Sequence, residues 1–121
     1  MSMADIVARV SERVDTQIRK ATIDVFGSVI KMTPVDTGRA RGNWQCSVGS
    51  PETSQIARLD PGGSSAFAEV VSTVPRKSGS VVWLTNNLDY IQRLEYGYSK
   101  QAPAGMVRVS LARFGAALRS S

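Results

Sequence analysis

A single apolar stripe running from Ala4 to Met32 constrains this chain more than any other feature of it. Ile6, Val7, Val10, Val14, Ile18, Ala21, Val25, Val29 and Met32 recur at three- and four-residue steps, and Arg9, Glu12, Arg13, Asp15, Arg19, Lys20 and Asp24 fall between them. That spacing predicts one amphipathic helix over 4–32. Ser2 or Asp5 can cap its start, and Pro34 sets its end, because the residue before a proline avoids helical angles. About 29 residues at 1.5 Å each make roughly 43 Å of helix. A domain of 121 residues is narrower than that. Three arrangements resolve the excess: Gly27 breaks the helix, one end projects and needs a partner, or the full length packs along a sheet.

Beyond Met32, short ordered runs alternate with turn chemistry. Thr33-Pro34-Val35-Asp36-Thr37-Gly38-Arg39-Ala40-Arg41-Gly42-Asn43 reads as a capped reversal, with Asp36 and Thr37 able to satisfy backbone N–H groups and Gly38 tolerating positive φ. Arg39 and Arg41 leave it with guanidinium forks available for carboxylates. Trp44, Cys46 and Val48 alternate with Gln45 and Ser47, the period of a half-buried strand, which makes Cys46 a small core residue. Residues 50–65 carry Pro51, Pro61, Gly62 and Gly63 and are expected to form a long loop or arm, ordered by a neighbour, with its clearest turn at Asp60-Pro61-Gly62-Gly63. A short helix opening at Ser64 or Ser65 should run to Val74. Val81 to Leu84 reads as a second strand, Leu88 to Tyr96 as a short helix, and Met106 to Leu118 as a final helix entered through Pro103. The expected fold is α+β. A long N-terminal and a C-terminal helix pack on a small, mainly antiparallel sheet of two to four strands, in a single domain over 1–121.

Composition removes whole classes of chemistry. There is no histidine and one cysteine, so no Ser-His or Cys-His pair, no imidazole metal site, no thiolate cluster and no internal disulfide can form. No acidic run has the spacing of a calcium loop, and Gly62-Gly63-Ser64-Ser65 lacks the lysine of a phosphate loop. A hydrolase built on Asp36 or Glu95 is therefore disfavoured; no cofactor, no metal and no catalytic residue is expected. The net charge of +5 is spread along the chain without a cluster. It suits a solvated surface or weak contact with nucleic acid, and a small basic nucleic-acid-binding module is the alternative function. No apolar run approaches the roughly 20 residues of a membrane span, and no signal-peptide core is seen. The chain is expected in the cytoplasm or in a particle assembled there.

The densest chemistry lies in Leu94-Glu95-Tyr96-Gly97-Tyr98-Ser99-Lys100-Gln101-Ala102-Pro103-Ala104-Gly105-Met106, where no long period survives. Taken with Thr33-Pro34-Val35-Asp36-Thr37-Gly38-Arg39 after a long amphipathic helix, the Leu94-Glu95-Tyr96-Gly97 run leading to a final helix resembles the neck and tail-completion proteins of tailed bacteriophages, the head–tail joining, minor tail protein Z-like family. The resemblance implies a non-enzymatic virion protein that forms or decorates a ring at the head–tail junction, six- or twelve-fold. Its implied partners are further copies of itself, adjacent neck or tail-terminator proteins and tail-tube proteins, with non-specific contact to DNA in the lumen and none to membrane. The candidate interface residues are Asp36, Arg39, Arg41, Glu95, Tyr96, Tyr98, Lys100 and Gln101. Glu95 is expected to pair with Arg39 or Arg41, within one subunit or between two, as a lock joining the two irregular turns. Tyr96 and Tyr98 are either interface aromatics or packing under the final helix.

Overall fold

The computed structural model describes residues 2–77, 79–96, 105–107 and 109–112. Helix α1 spans Met3–Met32 without interruption, about 45 Å long. Ser2 and Asp5 act together rather than as alternatives. The Asp5 N–H donates to Ser2 Oγ and the Ser2 N–H to Asp5 Oδ2, each at 3.2 Å, closing a capping box. Those bonds from Ser2 hold the Asp5 carboxyl below its usual range. Thr33 ends the helix with an extended ψ of 127°, as Pro34 demands.

Gly27 does not break α1. A Cβ there would lie 2.6 Å from Phe67 Cε2, so the glycine admits the ring of a second helix, α3 (Ser64–Thr73). The two helices run antiparallel. Gly27 meets Phe67 near the start of α3, whereas Arg19 Nη2 and Nε donate to the carbonyls of Val71 and Val74 at its end. Arg19 thereby satisfies acceptors that a helix C-terminus leaves open.

Between them in sequence lie α2 (Arg39–Gly42) and strand β1 (Gln45–Val48). Strand β2 (Val82–Thr85) and helix α4 (Ile91–Glu95) come after α3. The sheet is two antiparallel strands, with Cys46 opposite Leu84 and Ser47 opposite Trp83. The fold is α+β. Residues 107 and 109–112 are helical and close the body against the C-terminal half of α1, where Ser28 Oγ and Ser110 Oγ are 2.7 Å apart. The rest of the expected final helix lies outside the described residues.

The core gathers Val29 and Ile30 of α1, Trp44 and Cys46, Ala66, Val70 and Val74 of the α3 region, and Met106. Its polar centre is Thr33. The Thr33 hydroxyl donates to the Val29 carbonyl at 2.6 Å and accepts the Trp44 indole N–H at 2.7 Å. Alternation along β1 is incomplete. Trp44 and Cys46 are buried as expected, but Gln45 is also buried and Val48 is exposed. The reason is the segment before α3, whose Ser54 carbonyl accepts from Gln45 Nε2 at 2.7 Å.

Gly38 makes the first reversal possible. Its φ is +89°, and a Cβ would sit 2.5 Å from Pro61 N. Both the left-handed backbone and the close approach exclude a side chain. Gly38→Ala should lower unfolding free energy by about 3 kcal/mol, seen as a fall in the urea midpoint with little change in slope.

Candidate functional site

The turn after α1 is built around arginine, but not for carboxylates. Arg41 Nε, Nη2 and Nη1 donate to the carbonyls of Thr33 (2.9 Å), Lys31 (2.7 Å) and Pro61 (2.7 Å). Two of these acceptors belong to the end of α1, where unsatisfied carbonyls and the helix dipole favour a cation. Arg39 Nη2 donates to Gln55 Oε1 at 3.1 Å. Thr37 Oγ1 accepts from the Arg39 N–H at 3.3 Å, whereas Asp36 is exposed.

Glu95 is likewise occupied by backbone. One of its oxygens accepts from the N–H groups of Met106 at 3.0 Å and Val107 at 2.7 Å. A carboxylate on the first amides of a helix satisfies orphan donors and complements the dipole. Gly105, at φ +87°, brings this backbone against the Glu95 carbonyl and carboxylate so closely that a Cβ would collide with both. Among the described residues no ion pair joins Glu95 to Arg39 or Arg41 within the chain; the bonds described above for these groups go to main chain or amide. The two irregular segments do meet. Pro34, Asp36, Arg39, Tyr90 and Leu94 line one shallow groove. Tyr96 is 67% exposed, not packed under a helix. Tyr98, Lys100 and Gln101 lie outside the described residues.

The segment expected to wait for a neighbour is held by its own chain. Asn43 Oδ1 accepts from the Ile56 N–H at 2.9 Å, and Asn87 Nδ2 donates to the Glu52 and Ser54 carbonyls. Arg58 Nη2 reaches the Trp44 carbonyl at 2.8 Å and forms an ion pair with Glu69 at 2.9 Å, while its Nε donates to the Gly42 carbonyl. Asp60 is buried and accepts the Ala66 N–H at 2.9 Å, doing for α3 what Glu95 does for the last helix. Along the chain, Asp60 and Asn87 stand out only as turn formers, and no pattern singles out Asn43 or Arg58. The Asp60-Pro61-Gly62-Gly63-Ser64 order was the available signal for a helix cap.

Part of the exposed apolar surface lies on the N-terminal half of α1. Every described side chain from Ser2 to Val14 is exposed, including Met3 at 77% and Val14 at 44%, and Ile18 comes next at 46%. Farther along α1, Arg19 bonds α3, and Asp15 and Ile18 share a groove with Lys77 and Leu111. Residues 3–14 make about 18 Å of helix, and every described side chain on them is exposed.

Among the described residues no group of three potential metal ligands converges, and no helix is long and apolar enough to cross a membrane. No protein-family model, curated protein or solved structure matches this chain.

These contacts lead to two expected outcomes. Glu95→Ala removes the cap of the last helix and should cost about 1–2 kcal/mol, whereas Glu95→Gln, which keeps an acceptor oxygen, should cost less; thermal melts of the two variants check this. Burial, aided by the Glu69 carboxylate, pushes the Cys46 thiol up to about 11. Since the thiolate is the nucleophile, the native chain should label far more slowly than the denatured chain with a thiol reagent at pH 8. A raised thiol value favours the folded state only while the unfolded thiol stays protonated, so this contribution should fade as pH rises from 9 toward 11.

Proposed function

We propose that this chain is a non-enzymatic structural protein of a phage neck or tail-completion assembly, which forms or decorates a ring at the head–tail junction. The observation that carries this reading is the exposed apolar surface on the N-terminal half of α1, with Met3, Val14 and Ile18 on it. An amphipathic helix with exposed apolar side chains offers surface that a partner can cover. In a ring each subunit offers one face to a different face of the next, and exposed apolar surface on one element suits that head-to-tail geometry. Further support comes from the nature of the dense polar chemistry. Arg41, Arg58, Asp60 and Glu95 fix irregular backbone rather than converge on a cavity. Rigid, shaped surface is what an assembly joint requires.

On this reading the partners are further copies of the chain, the adjoining neck or tail-terminator proteins and the tail-tube proteins. The chain resides in the virion, and the spread net charge of +5 tolerates DNA passing through a lumen without reading its sequence.

Sedimentation of the purified chain, alone and mixed with assembled tails, tests the proposal. The expected result is a species heavier than the 13.0 kDa monomer in at least the second sample. Deleting residues 2–14 should abolish that species while moving the melting temperature little. A full chain that neither self-associates nor binds tails or heads would overturn the proposal.

A further inference from the structure

The sheet is incomplete on one side, and the same chain carries an edge that fits it. Gly49 N–H donates to the Val81 carbonyl at 2.8 Å. With the register of the two strands, this turns the backbone groups of Val81, Trp83 and Thr85 toward β1 and those of Val82 and Leu84 away from it. Among the described residues nothing hydrogen-bonds to those outward groups. Val81 and Trp83 beside them are exposed, at 60% and 39%. Two strands make a marginal sheet, and an open edge with exposed aromatic and β-branched neighbours is a template for a further strand.

Beside the start of β1 lies the stretch from Gln55 to Leu59, held there by Arg58 on the Trp44 carbonyl and by Gln55 on the Asn87 carbonyl. Its backbone alternates. Ile56 N–H is bound by Asn43, and the Arg58 backbone presses on Gly42. The intervening Ala57 is exposed, and its N–H and carbonyl have no partner among the described residues. We propose that this stretch adds as a strand to the β2 edge of the next copy, which makes it the repeating contact between subunits. A parallel alignment satisfies both edges. It centres Ala57 on Trp83, with Ala57 N–H donating to the Val82 carbonyl and the Leu84 N–H donating to the Ala57 carbonyl. Glu52 is the one charge on residues 50–57, and β2 follows Arg76 and Lys77 in a stretch with no acid between Val70 and Leu88, so the two segments carry opposite charge. The donor stretch and the acceptor edge are different segments, so in a head-to-tail ring the contact repeats from copy to copy.

The inference rests on the assembly reading, and its test separates the two. Ala57→Cys and Trp83→Cys are prepared as separate full-length variants, mixed, assembled and oxidised; the native Cys46 is buried and serves as the internal control. Adjacent strands bring these positions within the roughly 7 Å between Cα atoms that a disulfide spans. The mixture should give a covalent dimer on a non-reducing gel that neither variant gives alone. Ala57→Pro, which removes the donating N–H at an exposed position, should melt as the wild type does but lose the oligomer. If the wild type assembles while the mixed pair fails to cross-link, or while Ala57→Pro assembles normally, the strand contact is overturned and the assembly reading stands. If the wild type stays at 13.0 kDa alone and with tails, both fall.

Discussion

Everything in this fold hangs on how α1 is stopped. Pro34 only forbids continuation; it does nothing for the carbonyls left at the helix end. Thr33 and Arg41 do. The threonine hydroxyl turns back to Val29 and takes the Trp44 indole, while the Arg41 guanidinium holds Lys31, Thr33 and Pro61 together. A buried hydroxyl with both partners in place costs little to bury, whereas an unpaired one would cost about 1–3 kcal/mol. The node therefore sets where Trp44 enters the core and where the turn before α3 lies. Remove it, and the short strands have no fixed origin.

The rest of the body is shaped by having very little sheet. Two four-residue strands cannot satisfy much backbone, so side chains do the work that ladders do elsewhere. Asn43, Asn87, Gln45 and Arg58 each bind main-chain groups of the 42–60 region. Carboxylates cap helices across loops, Asp60 for α3 and Glu95 for the last helix. Irregular backbone is held this way only when each polar group finds its partner. Among the described residues no buried side-chain polar atom is left without one.

That economy shapes the functional reading. Glu95 and Arg41, two of the polar residues that looked most reactive in the sequence, hold main chain, and exposed apolar side chains lie on α1 and along β2. These features suit shape-based assembly better than chemistry on a small molecule.

Local rules were enough for the elements. The stripe of α1, its cap at Ser2 and its stop at Pro34, the strand at Cys46, the helix opening at Ser64 and the buried, inert cysteine all come from period, capping and steric preference, which act within a few residues. Partner choice among charged groups is different in kind. Arg39, Arg41 and Glu95 each had several acceptors or donors within reach of their side chains, and spacing along a chain does not rank them. For Arg41 and Glu95 the helix ends came close in space and offered unsatisfied carbonyls and N–H groups, while Arg39 found the Gln55 amide. The same holds for Gly27, whose lack of a side chain reads as a break in a lone helix and becomes a seat for Phe67 once α3 is packed against it. Chain-local patterns decided which segments are helix, strand or turn. Long-range packing decided which of their polar groups would be buried, and so which had to be paired.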